Sequence, residues 1–159
     1  MPDTGHPGAM PERTLTTPLG PVTLEARDGA ITALHWRHGG NDASDLLDAA
    51  EAQLRAYFHG TLSAFDLPMA PGGSDLTRRV CTEMSAIPLG ETRTYGMLAK
   101  RLGAPAQAIG QACGANPIPV LIPCHRVLGA KGLGGFSAKG GVETKVWLLR
   151  HEGAAGLLI

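Results

Sequence analysis

Aromatic side chains are scarce in this chain: Phe, Tyr and Trp together make up 4% of it. A core without large rings must be filled by Ala, Leu, Val and Ile, and the hydrophobic content of 43% supplies them. No apolar run approaches the roughly 20 residues of a membrane-spanning helix, so no membrane partner is expected. Residues 1–11 also lack an apolar signal core; they are Gly/Pro-rich and polar and read as a flexible tail. Cysteine is limited to Cys81, Cys113 and Cys124, at spacings of 32 and 11 residues. An odd number so spaced gives neither a disulfide framework nor a zinc-ligand pattern, and free thiols point to a reducing cytoplasm.

Net charge is absent too, with 14 Lys and Arg against 14 Asp and Glu. The distribution is uneven, however. Residues 1–73 carry four arginines against nine acidic residues, whereas residues 74–159 carry ten Lys and Arg against five. Such a split predicts one basic unit able to face a polyanion, with a modest, salt-dependent affinity for nucleic acid.

What the chain does have is turn formers, with 22 Gly and 12 Pro in 159 residues. They divide it into an N-terminal α/β domain over residues 12–70 and a mainly helical C-terminal domain over 74–159, joined by the Pro68–Gly73 linker. In the first domain, Thr14–Thr16, Val22–Ala26 and Ile31–Trp36 alternate like strands, separated by Leu19-Gly20-Pro21 and Asp28-Gly29. These predict an antiparallel meander. Asp42–Phe58 has helical spacing, and Phe65–Leu67 reads as a short edge strand.

In the second domain, Ser74 is placed to cap a helix with Leu76, Val80, Met84 and Ile87 on its apolar face, closed by Pro88-Leu89-Gly90. Thr94 is placed to cap Tyr95–Leu102, and Gly103-Ala104 to turn the chain. Pro105 suits the first turn of a third helix running to Ala115. Two short helices around a Gly-containing turn are a helix-turn-helix signature. The second of them, Ala106–Gly114, is nearly all small residues, and the basic pair Lys100-Arg101 precedes it. A last helix runs from Val142 to His151, with Val146, Leu148 and Leu149 inward.

Chemistry concentrates at Ile122-Pro123-Cys124-His125-Arg126-Val127. A thiolate is the nucleophilic form of cysteine and needs a base or positive surroundings near neutral pH. Glu152 could orient His125, which would draw the proton from Cys124, directly or through water. That relay serves a cysteine hydrolase or an alkyl acceptor equally well. Cys81 and Cys113 have no neighbouring base in sequence and read as packed core thiols.

Tyr95-Gly96-Met97-Leu98-Ala99, Gly110 to Asn116-Pro117, the Pro-Cys-His-Arg-Val run, Gly135-Phe136-Ser137 and Lys145 to Glu152 occur in one order and spacing. In this, residues 74–153 resemble the O6-alkylguanine-DNA alkyltransferases. The resemblance implies an α/β fold: a small N-terminal antiparallel sheet with a helix, then a winged-helix-like domain carrying the helix-turn-helix. It implies double-stranded DNA containing O6-alkylguanine as the partner, a cytoplasmic monomer (on the nucleoid in a bacterium), and no cofactor or metal. The implied catalytic residues are Cys124 as alkyl acceptor, with His125, Glu152, Asn116 and Tyr95. Gln107, Ser137, Arg126, Thr94, Ala106 and Gly110 are the implied substrate and DNA contacts. Many members carry an arginine that fills the gap left by a flipped base; the matching residue here is Gln107. A related non-catalytic group lacks the reactive cysteine and only marks lesions; Cys124 is present here.

Overall fold

The structure, a computed structural model, describes residues 10–130, 132 and 141–154. The chain divides between Pro71 and Gly72 into two compact units.

In the first unit, β1 (Glu12–Thr17), β2 (Gly20–Arg27) and β3 (Ala30–His35) form an antiparallel sheet in that order. Asp28 and Gly29 both take positive φ, 51° and 80°. This backbone twist matches the strands, so the two-residue hairpin closes without splaying them. Alternation turns Leu15, Val22, Leu24, Ala26, Ile31 and Ala33 inward. Helix α1 (Asp45–Phe58) lays Leu47, Ala50, Leu54 and Tyr57 into the same core.

Two expectations shift here. Helical spacing begins at Asp42, but α1 starts at Asp45, because Ser44 caps it by accepting from the Leu47 amide at 3.2 Å. Asp42 is instead tied to the edge of β1: its amide donates to the Glu12 carbonyl at 2.8 Å. Phe65–Leu67 forms no strand. The pairing falls further on, where Ile31 bonds Pro68 and Ala70, each at 2.8 Å, and Phe65 rests against Tyr57 with ring centroids 5.5 Å apart.

In the second unit, α2 (Asp75–Ser85) is capped by Ser74 as its sequence predicts and packs on α3 (Tyr95–Leu102) and α4 (Ala106–Gly114). Helix α2 ends at Ser85, ahead of the Pro88-Leu89-Gly90 stop. Thr94 caps α3, accepting from the Met97 amide at 3.1 Å. Gly103 at φ 65° ends α3 in the left-handed conformation, which allows the sharp turn into α4. Pro105 is the N-cap residue of α4 rather than its first helical residue. A two-residue parallel ladder joins β4 (Arg93–Thr94) to β5 (Val127–Leu128), and α5 (Val142–His151) packs on the turn between α4 and β5. That ladder therefore ties the start of α3 to the residues just after Cys124. The architecture is mixed α/β, an antiparallel sheet followed by helices.

Candidate active site: a buried thiol beside a helix-turn-helix

Cys124 opens a single 3-10 turn, Cys124–Arg126, and is 8% exposed. The chain reaches it through two very tight turns. Val120 has φ 72° and is buried, and the Leu121 amide bonds the Pro119 carbonyl across it at 2.9 Å. This is γ-turn geometry on a β-branched residue, a conformation that costs on the order of 1–3 kcal/mol. At Pro123 (φ −80°, ψ 69°) the turn has the inverse hand, and the Cys124 amide bonds Ile122 at 2.8 Å. Asn116 holds the segment from inside. Its Nδ2 donates to the Ile122 carbonyl at 2.9 Å, and its Oδ1 accepts from the Ile118 amide at 3.0 Å. Asn116, two residues beyond the end of α4, thus fixes the loop that carries the thiol.

His125 is 0% exposed, and its Nε2 lies 2.6 Å from Glu152 Oε2. Its Nδ1 is buried with no hydrogen-bond partner among the described residues. Burial lowers the imidazole below its ordinary value even though Glu152 works against this. A neutral ring that donates from Nε2 to a carboxylate leaves Nδ1 as a proton acceptor.

Burial alone would raise the Glu152 carboxyl. Hydrogen bonds from His125 and Arg126 overcome it and hold the group at about 2. For the Cys124 thiol, burial dominates and raises it. Asn116, Lys145 and the backbone amides at Cys124 and His125 pull the other way. The thiolate is therefore not given by the resting pocket and needs a base, which His125 can supply.

Arg126 corrects an expectation. The family resemblance puts it among the substrate and DNA contacts, but the structure turns it inward and buries it. Its Nε and one terminal nitrogen grip Glu152 Oε1 and Oε2 at 2.8 and 3.1 Å, and the other terminal nitrogen donates to the Ile87 carbonyl at 2.7 Å. A guanidinium fork matches a carboxylate in this way, so Arg126 fixes the group that fixes His125.

Two further thiols lie close by. Cys81 Sγ is 3.8 Å from Asn116 Oδ1. Burial pushes Cys81 up to about 11 and Cys113 up to about 12, with Cys124 adding to both. Both are buried free thiols, as their sequence contexts predict, and burial disfavours their thiolate forms.

Sequence reasoning overlooked Lys145. It is 0% exposed, and its Nζ donates to the Val127 carbonyl at 2.7 Å and lies 5.8 Å from the centre of the Tyr95 ring. A signal was available: Lys145, Leu148, Leu149 and Glu152 recur at helical spacing, so both charged residues fall on the apolar stripe of α5.

Of the other expected contacts, Thr94 and Tyr95 are half-buried at the start of α3. Ala106 and Gln107 are exposed at the start of α4, and Gly110 is half-buried one turn on. Nothing lies within 4 Å of where a Gly110 side chain would begin, so packing within the described residues does not demand glycine there. Ser137 lies outside the described residues.

These parts define a class of protein, one that carries a base-flanked cysteine on the loop following a helix-turn-helix. The sequence model of the 6-O-methylguanine DNA methyltransferase, DNA binding domain, matches residues 75–154. The methylated-DNA–protein-cysteine methyltransferase of Mycolicibacterium paratuberculosis is 42% identical over 151 residues, covering 88% of this chain and 90% of its own. That of Shigella flexneri is 38% identical, covering 89% and 95%. The structure resembles the crystal structure of Mycobacterium tuberculosis O6-methylguanine methyltransferase with a TM-score of 0.81 at 37% identity, over 92% of this chain and 94% of that one. It also resembles Mycobacterium tuberculosis OGT in complex with DNA, with a TM-score of 0.80 at 41% identity, over 90% and 92%. The chain belongs to the 6-O-methylguanine DNA methyltransferase family, the methylated-DNA–protein-cysteine methyltransferases.

Proposed function

We propose that this protein repairs double-stranded DNA by moving the alkyl group of O6-alkylguanine irreversibly on to its own Cys124. The observation that carries the reading is the His125–Glu152 contact of 2.6 Å, which leaves a buried Nδ1 without a partner among the described residues, one residue from a thiol. The family relationship supplies the substrate class, and the basic C-terminal half suits DNA.

The guanine leaves the stack and enters the pocket, at a cost of about a few kcal/mol of stacking and pairing. Gln107, exposed on α4, fills the gap. Thr94, Ala106 and Gly110 let the DNA backbone approach closely, which accords with the open space at Gly110. His125 Nδ1 takes the Cys124 proton through water, and Glu152 stabilises the imidazolium that forms. The thiolate forms a bond to the alkyl carbon as the carbon–O6 bond breaks. The bonding pair leaves on guanine, and the Tyr95 hydroxyl helps deliver the proton that neutralises it. Ser137 contacts the base edge. A thioether has no route back to thiol in this pocket, so each molecule reacts once, as a monomer in the cytoplasm.

The test is the intact mass after incubation with duplex DNA holding one O6-methylguanine, with peptide mapping. One added methyl on Cys124, and none on Cys124→Ala, is expected. An unchanged mass with DNA bound would refute transfer and make the protein a lesion-binding module.

A further inference from the structure

The cap of α3 is made in part by sulfur. Thr94 and Met97 bond each other in both directions: Thr94 Oγ1 accepts from the Met97 amide at 3.1 Å, and the Thr94 amide donates to Met97 Sδ at 3.4 Å. In a capping box the second acceptor is normally the side-chain oxygen of a Glu or Gln at this third helical position. Here a thioether, a weak acceptor, stands in its place. Met97 is also 53% exposed. The other sulfurs of residues 72–159 are sheltered: Cys81, Cys113 and Cys124 are 2, 6 and 8% exposed, and Met84 is 0%. Met97 lines a cleft of about 400 Å3 between the end of α2 and α3, beside Arg93 and Arg101, so a small oxidant reaches it from solvent.

We propose that Met97 is a site of oxidation by peroxide, and that the sulfoxide formed completes the capping box of α3. The sulfur lone pair attacks one peroxide oxygen. A sulfur–oxygen bond forms as the oxygen–oxygen bond breaks, and the second oxygen leaves as water with both protons. Sulfur loses two electrons and the peroxide gains them. Sδ holds the same place along its side chain as Cδ of a glutamine. The new oxygen therefore stands where a glutamine amide oxygen would, within reach of the Thr94 amide. A weak acceptor is exchanged for a strong one at the helix end that bears Thr94 and Tyr95. That end is laddered to β5, where Thr94 pairs with Leu128, a short way past Cys124. Oxidation of Met97 thus firms the edge of the site and spares the buried thiols, because thiol oxidation follows thiolate character and exposure. A sulfoxide can be reduced back to the thioether, so the change is reversible. None of this draws on the alkyl-transfer chemistry.

The test treats the folded protein with hydrogen peroxide and maps oxygen uptake by peptide. One added oxygen on Met97, ahead of Met84 and of all three cysteines, is expected. Exchange of the Thr94 amide is then followed by NMR. It is expected to slow by roughly fivefold, the worth of about one net hydrogen bond. Met97→Gln should start at the slow rate and Met97→Leu at a rate faster than wild type, and peroxide should change neither. Oxidation of Cys124 before Met97 overturns the proposal, and so does a Thr94 exchange rate that the sulfoxide leaves unchanged or raises. Should a variant fail to fold, the wild-type measurements decide alone. No step uses DNA, so failure to accept methyl from O6-methylguanine would refute the proposed function separately.

Discussion

Glu152 Oε2 stands 2.6 Å from His125 Nε2, although 27 residues separate the two in sequence, and both side chains are buried. The contact joins the end of α5 to the turn that bears the thiol. It sets the tautomer of the ring and gives the site its pH dependence.

The sign of that dependence can be stated. Against the upward push of burial, the bonds from His125 and Arg126 hold the Glu152 carboxyl at about 2, below its ordinary 4.5. A carboxyl lowered by folding contributes stability that is complete above about 4.5 and is lost as pH falls toward 2. A shift of this size amounts to on the order of 3 kcal/mol. His125 acts in the same direction: burial lowers its imidazole, so below its ordinary 6.5 the unfolded chain takes the proton first. Urea unfolding should show wild-type stability declining from pH 6.5 downward and more steeply below 4.5. Glu152→Gln should be less stable at pH 7 and flatter between pH 4.5 and 2.5. Equal acid losses in both proteins would assign the linkage to another group.

Arg126 provides the second prediction. Its fork on Glu152 is buried, so removing it leaves a carboxylate with His125 as its remaining bonded partner among those described above. Breaking one side of a buried pair typically costs about 3–5 kcal/mol. Arg126→Met should lose stability on that scale. It should also raise the His125 pKa, because Arg126 lowers it in the intact protein. Arg126→Lys keeps the charge without the fork and should fall between the two. Urea unfolding and an NMR titration of the His125 ring check both. A wild-type His125 titration in a folded Arg126→Met protein would contradict the clamp.

The same residues show why some of this was legible in the sequence. Local rules placed Ser74 and Thr94 as caps, because a cap is decided within four residues of chain. The strands and hairpin of the first unit followed from alternation and from Asp28-Gly29 for a similar reason. Phe65–Leu67 failed because strand pairing is a long-range event, and Ile31 takes Pro68 and Ala70 instead. The β4–β5 ladder has two residues per strand, too few for any periodicity.

At the site, the Pro-Cys-His-Arg-Val run marks the thiol, but it leaves the direction of Arg126 open. A charged residue beside a nucleophile reads equally well as a solvent-facing contact or as an inward clamp. Only the partner's position across the fold separates them, and Glu152 comes 26 residues later. Lys145 was hidden in a different way. It interrupts an apolar stripe, and the usual reading of such a residue is a solvated neighbour rather than a buried charge.

The last prediction concerns α4. Ala106–Gly114 contains no charged residue, and Gln107 is exposed in its first turn. A glutamine there can wedge and hydrogen bond, but it adds neither the charge nor the planar face of a guanidinium. DNA affinity must then come from cations elsewhere in the basic half. Each added phosphate contact steepens the fall of log affinity with log salt by about 0.9. If Gln107 fills the gap left by the base, Gln107→Arg should bind a duplex with one O6-methylguanine more tightly at fixed salt. It should steepen the salt dependence by up to about one such contact. It should also speed methyl transfer without changing the final yield of one methyl per molecule. Fluorescence anisotropy at several salt concentrations, with intact mass at timed intervals, measures all three. Unchanged or weaker binding would mean that this end of α4 does not enter the duplex.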